Sequence, residues 1–127
     1  MDLGLQDKVI IVTGGAAGIG AAISETLAAE GAVPVILTRR PPDAAFLERL
    51  TSASPSAGWV QADLSQDADC RRAVTQVQAR WGQVYGLVNN AGSNAASGLT
   101  RGQRRSAPRS TRTCCTIIRW RICCRMI

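Results

Sequence analysis

Four short apolar runs punctuate the first ninety residues, and amphipathic stretches separate them. Val9 to Val12 is an unbroken apolar run of strand length, ended by Thr13 and Gly14. Ile19 to Glu30 carries apolar residues at Ile19, Ala22, Ile23 and Leu27, a helical stripe, and Gly31 is a natural stop. Val33 to Leu37 reads as a second buried strand, with Pro34 placing the start of its ladder just after the proline. Arg39, Arg40, Pro41, Pro42 and Asp43 form a turn, Ala44 to Leu50 a short helix, and Thr51 to Gly58 a loop. Trp59 to Ala62 is a third strand. Ser65 is placed to cap the next helix, with Asp67 and Asp69 near its positive end. That helix runs through Ala73, Val74, Val77 and Trp81 to Gly82. Val84 to Val88 is a fourth apolar strand, and Asn89 to Gly92 is the turn beyond it.

Strands alternating with helices, β-α-β-α-β-α-β, predict an α/β fold with a parallel sheet and helices on both faces. Right-handed crossovers and a doubly wound order 3-2-1-4 put the first and fourth strands side by side. Their carboxyl ends then flank the crevice where such sheets take ligands. The turns after both strands are expected there.

The first of these turns carries the chemistry. Gly14, Gly18 and Gly20 fall at spacing G-x-x-x-G-x-G between a strand and a helix. Such a turn needs backbone angles that a Cβ would penalise, and a diphosphate reaches the backbone only where no side chain intervenes. The following helix offers unpaired N–H groups and its positive dipole end to the anion. Three glycines can also close a strand–helix turn with no ligand at all.

Composition divides the chain. All nine acidic residues precede residue 70, while eight of the fifteen basic ones follow residue 100, so residues 1–99 carry −2 and residues 100–127 carry +8. Four of the five cysteines are the adjacent pairs Cys114-Cys115 and Cys123-Cys124, which is not a zinc spacing, and the chain has no histidine. No metal site is expected. No stretch approaches the ~18–20 apolar residues of a membrane span, and the N-terminus lacks a signal-peptide pattern, so a cytoplasmic protein is expected.

These residues resemble the short-chain dehydrogenase/reductase family. Thr13 to Gly20, TGGAAGIG, is similar to that family's TGxxxGIG cofactor motif. Asp63-Leu64 resembles its adenine-ring contact, and Asn89-Asn90-Ala91-Gly92 its NNAG motif, which stabilises the central sheet and lines the cofactor cleft. The resemblance covers residues 1 to about 99. It implies a truncated Rossmann-like domain whose cofactor-binding residues are Gly14, Ala16, Ala17, Gly18, Ile19, Gly20, Asp63, Leu64, Asn90, Ala91 and Gly92. It also implies a parent that is a homo-oligomer and transfers a hydride between its cofactor and an alcohol or sugar. The opening twenty residues and GLVNNAG further resemble bacterial sugar dehydrogenases of the L-fucose dehydrogenase type.

Cofactor choice turns on the end of the second strand. A carboxylate there would accept from the ribose hydroxyls of NAD. Here Thr38 stands at that position, followed by Arg39, and a small hydroxyl with a guanidinium suits a 2′-phosphate. NADP(H) is therefore expected in preference to NAD. The alternatives stay open: both arginines as solvated turn residues, Asp63 as a turn-former, Asn89 and Asn90 as turn residues satisfying backbone groups.

The family's catalytic groups are missing. The only tyrosine is Tyr85, followed four residues later by Asn89, and the only lysine is Lys8, so no Tyr-x-x-x-Lys exists. Ser93, Ser97, Ser106 and Ser110 come too early to match the family serine. No catalytic residue is assigned.

Residues 101–127 contain eight arginines, no acid and no lysine, without sustained period. A basic arm contacting nucleic acid or acidic partners, on a non-enzymatic nucleotide-binding module, is one reading. Only Trp120 could stack on bases, which disfavours it. A displaced reading frame fits better. Taking the last base of each codon as the first of the next makes Thr113 to Arg121 compatible with Leu-Leu-His-Tyr-Tyr-Thr-Leu-Ala, part of a helix-like apolar period. Restoring one base downstream of Leu99 should then open a frame encoding Tyr-x-x-x-Lys. Residues 100–127 are thus expected to be an irregular basic tail. Its loss of the later strands would leave the fourth as an apolar edge, marginally stable and prone to aggregate.

Overall fold

A computed structural model describes residues 2–92. The expectations for residues 93–127, the basic tail and its reading frame, lie outside the described residues.

The elements alternate as expected: β1 (Val9–Thr13), α1 (Gly18–Ala29), β2 (Val33–Thr38), α2 (Ala44–Ala53), β3 (Gly58–Gln61), α3 (Asp67–Trp81) and β4 (Val84–Asn89). The four strands form one parallel sheet of order β3-β2-β1-β4. β1 and β2 are apolar along their length because helices cover both faces of the sheet, and alternation of side chains does not expose either one. On one face Val9, Ile11, Val35 and Leu37 pack against Ala73, Val74 and Val77 of α3. On the other, Ile36 packs with Ala28 of α1 and Phe46 and Leu50 of α2. Ile11, Val35, Ile36 and Leu37 are wholly buried, each contributing roughly 1.5–3 kcal/mol of transfer free energy.

Pro34 lies within the ladder, opposite Ile10. The N–H of Val33 donates to Lys8 O and Leu37 O accepts from Gly14 N, so odd-numbered residues of β2 face β1. Pro34 therefore turns its missing donor towards β3, whose pairing begins one residue later at Val35↔Gly58. The ladder starts after the proline only on that side.

Helix α2 runs on to Ala53, so Thr51, Ser52 and Ala53 are helical where a loop was expected. Two further local expectations change. The buried face of α1 is Gly20, Ser24 and Ala28, while Ile19 is 76% exposed and Ala22 is exposed. Small residues let this helix approach the β1 turn more closely than a stripe of isoleucine and leucine would. The residue capping α3 is Gln66, not Ser65, and it makes no side-chain cap bond. Ser65 instead donates its hydroxyl to Asp63.

At the amino-terminal end of the sheet, the β1–β4 register shifts between Val9 and Ile10, whose partners are Val84 and Gly86. Tyr85 is the extra residue and is 48% exposed, with Lys8 Nζ 5.2 Å from its ring centroid. Among the described residues no helix is long and apolar enough to cross a membrane.

Candidate nucleotide-binding cleft

The carboxyl ends of β1 and β4 meet through one buried hydroxyl. Thr13, 1% exposed, accepts the backbone N–H groups of Asn90 and Ala91 on its Oγ1, each at 3.0 Å. The Asn90 amide returns the contact, its Nδ2 donating to Thr13 O and Gly14 O at 3.3 Å. The two turns are in van der Waals contact as well, since a Cβ on Gly14 would stand 3.1 Å from Ala91 Cα. The expected meeting of the glycine turn and the NNAG turn is thus observed.

The glycines divide the work. Gly14 and Gly18 adopt φ of +64° and +54°, the left-handed region that side chains avoid. Gly20 is needed for proximity, because a Cβ there would overlap Gly14 O and crowd Asn90 Nδ2. Ser24, one turn further along α1, is fully buried and lies 3.0 Å from both Gly15 O and Gly20 O. Sequence reasoning missed this serine, although its i+4 spacing from Gly20 on the small-residue face was a usable signal.

Helix α1 starts without a side-chain cap: Ala17 is extended and exposed, and Ala21 N makes the first helical bond to Ala17 O. Among the described residues the N–H groups of Gly18, Ile19 and Gly20 have no backbone acceptor. Nothing lies within 4 Å of where a Cβ on Gly18 would be. Open space above unpaired amides at a helix start is the environment an anion takes. Gly14 is different, since its N–H already donates to Leu37 O at 2.8 Å and serves the sheet. Ala16 packs into the core beside α1 and α2, and Gly92 is exposed at the rim.

A groove of about 580 Å³ lies beside this cleft at the ends of β2 and β3, lined by Arg39, Gln61, Asp63, Asp69, Arg72 and Gln76. Thr38 donates its hydroxyl to Arg40 O at 3.1 Å. Asp63 Oδ1 accepts from the hydroxyl and backbone N–H of Ser65, at 2.6 and 3.0 Å. Those two bonds, the hydroxyl first, hold its carboxyl below the usual carboxylate range. Asp63 is therefore a turn-former through Oδ1, and the residue lines the groove. Leu64 packs its side chain against the α3-side core.

Tyr85 and Lys8 do come together, but at the amino ends of the strands. Four residues of β1 separate that end from the cleft, roughly 13 Å at strand rise. Among the described residues there is also no group of three or more His, Cys, Asp or Glu that could hold a metal ion.

A parallel, doubly wound sheet with a glycine turn and a second turn packed together at its switch point defines a dinucleotide-binding unit. Residues 8–112 match the short chain dehydrogenase family model. The chain belongs to that family. It is 37% identical over 92 residues to sorbitol-6-phosphate 2-dehydrogenase of Klebsiella pneumoniae, covering 72% of this chain and 32% of that protein. The solved NADH-dependent reductase A1-R′ complexed with NAD is similar at TM-score 0.65 and 34% identity, over 73% of this chain and 39% of its own. L-sorbose reductase from Gluconobacter frateurii, complexed with NADPH and L-sorbose, is similar at TM-score 0.67 and 29% identity, over 82% and 40%. The chain spans roughly a third of the length of the curated relatives it matches. It corresponds to the nucleotide-binding part of the short-chain dehydrogenase fold.

Proposed function

We propose that the cleft between the β1 and β4 turns holds the diphosphate of NADP(H), with the adenosine end lying in the neighbouring groove. One observation carries this: α1 begins uncapped, the amides of Gly18, Ile19 and Gly20 have no backbone acceptor among the described residues, the space beside Gly18 is open, and Asn90 and Ala91 pack against the glycine turn from the other side. Ala16 and Ala17 bring the chain to that helix start, and Ile19, 76% exposed, offers apolar cover beside it. In the groove, Arg39 meets the 2′-phosphate beside the small Thr38, and Asp63 with the Leu64 backbone meets the adenine edge.

The bound cofactor supplies a hydride donor or acceptor. The parent enzyme exchanges that hydride with an alcohol or a sugar carbonyl, acts in the cytoplasm and assembles as a homo-oligomer. Sugar alcohols and sugars are named for two of its relatives, which favours that substrate class, the L-fucose dehydrogenase type included. These 127 residues bring cofactor-binding groups and no Tyr-x-x-x-Lys pair. A boundary near residue 99, with a displaced frame beyond it, accounts for that, and the coding DNA tests it as described above.

The test is a titration of the full chain with NADPH and NADH, read by nucleotide fluorescence. NADPH should bind about tenfold tighter, the worth of one charge-assisted hydrogen bond. Absence of binding by either nucleotide refutes the cleft, and equal or tighter binding of NADH refutes the role given to Thr38 and Arg39.

A further inference from the structure

The groove beside the cleft contains two charged residues that face each other rather than a ligand. Asp69, in the first turn of α3, accepts the backbone N–H of Asp63 on Oδ2 at 2.6 Å. Its other oxygen, Oδ1, is held by Arg72, through Nε at 2.8 Å and Nη2 at 2.7 Å. The same guanidinium donates Nη2 to Gln61 O at 2.7 Å and Nη1 to Gln76 Oε1 at 3.1 Å. Gln61 in turn donates its amide to Arg39 O at 3.1 Å. The network ties the end of β3, the turn after β2 and the start of α3 to one backbone point, the amide of Asp63.

Three features set this apart from an ordinary surface ion pair. First, both oxygens of Asp69 and all three donor nitrogens of Arg72 are engaged, so the pair is satisfied internally. Second, three of the bonds go to backbone groups of the segments that border the groove. Third, the turn so fixed leaves Asp63 Oδ2 without a hydrogen bond among the described residues, while Ser65 occupies Oδ1. A carboxylate oxygen held at the groove's edge can exchange water for a ligand donor, and an exocyclic amino group on a purine is one.

We infer that Asp69 and Arg72 are positioning residues for base recognition: they hold the Asp63–Leu64 turn so that Asp63 Oδ2 reads the adenine amino group of the dinucleotide. The inference rests on the proposed nucleotide cleft. Neither residue touches the cofactor. Their removal should therefore cost selectivity for the base while leaving the grip on the phosphates.

The experiment compares binding of NADPH and its hypoxanthine analogue, in which a carbonyl oxygen replaces the amino group, to the full chain and to Asp69→Asn. The unsubstituted chain should prefer the adenine form by about tenfold, the scale of a hydrogen bond to a charged acceptor. Asp69→Asn should bring that ratio close to one while the NADPH-to-NADH ratio stays as in the unsubstituted chain. A general loosening would lower all affinities together and leave the base ratio intact, and that result overturns the inference. Arg72→Lys, which keeps the charge and loses the two-pronged grip, is the second variant. It should reduce the ratio partially, and an unchanged ratio in it likewise counts against the pair. If the unsubstituted chain binds nucleotide with no preference for adenine, base reading by Asp63 fails although the cleft stands. If it binds neither dinucleotide, the cleft itself is wrong and the inference falls with it.

Discussion

Gly20→Ala tests the packing on which the cleft rests, because local and tertiary effects have opposite signs there. In an isolated helix the substitution would help, by about 1 kcal/mol. Here the added Cβ would overlap Gly14 O and stand 2.5 Å from Asn90 Nδ2. Restoring a separation of roughly 3.5 Å requires one turn to move by roughly 1 Å. The Asn90 amide bonds to Thr13 O and Gly14 O, both already long at 3.3 Å, do not survive such a shift. Two lost hydrogen bonds cost about 2 kcal/mol, and overpacking adds about 1–3 kcal/mol. Less the helical gain, the net loss is about 2–4 kcal/mol. Urea unfolding of the full chain, followed by tryptophan fluorescence with Trp59 and Trp81 reporting on the two faces of the sheet, measures it. Gly18→Ala is the control: it meets nothing within 4 Å and bears only the cost of φ +54°, about 1–2 kcal/mol. If Gly20→Ala matches the unsubstituted chain in stability, α1 does not lie against the β1 turn and the site described here is wrong.

Thr13→Val removes the acceptor shared by the Asn90 and Ala91 amides and should cost about 2–4 kcal/mol in the same assay, whereas Thr13→Ser should retain most of the stability. Ser24→Ala leaves Gly15 O without its buried donor and should cost about 1–3 kcal/mol despite the better helix former. Arg39→Ala should lower NADPH affinity about tenfold with little change for NADH, as measured by fluorescence titration. The Asp63 amide, then Arg72, hold the Asp69 carboxyl below its usual value of 3.8, so Asp69 stabilises the fold above that pH and the contribution fades as pH falls through the lowered folded value. Asp69→Asn should flatten the acid limb of stability below that point, and an unchanged limb would show that the pair does not couple to folding.

Strand number, order and the two turns were legible because each rests on a local signal with one physical cause. An unbroken run such as Val9 to Val12 is compatible only with burial on both faces, and Gly14 and Gly18 occupy backbone angles that other residues resist. The face of α1 was not legible by the same means. Apolar periodicity marks where a helix buries large surface, whereas α1 is set by how near it must come to the β1 turn, and nearness selects Gly20, Ser24 and Ala28. Ser65 looked like a cap because Ser, Asp and Asp in succession suit a helix start; Asp63 took its hydroxyl instead. The Asp69–Arg72 network was out of reach, since its partners on Gln61 and Asp63 become neighbours only when β3 and α3 have packed.

The layout also links the cleft's integrity to β4, one of the two edge strands among the described residues. β4 pairs only with β1 among the described strands, and its Leu87 and Val88 are half-buried where the residues of β1 are fully buried. Yet Asn90, which wedges the glycine turn, and Ala91, which leans on Gly14, both follow that strand directly. Opening of β4 from β1 would therefore dismantle the diphosphate site, and it would also uncover Val84 and Leu87 of the α3-side core. By mass action, nucleotide bound at the cleft must oppose that opening, by about 2.7 kcal/mol at a concentration one hundred times its dissociation constant. The dependence runs in both directions, since whatever covers the outer edge of β4 raises the population of the cleft able to bind. Nucleotide affinity and the covering of this one strand are two readings of a single equilibrium, with Thr13 as its hinge.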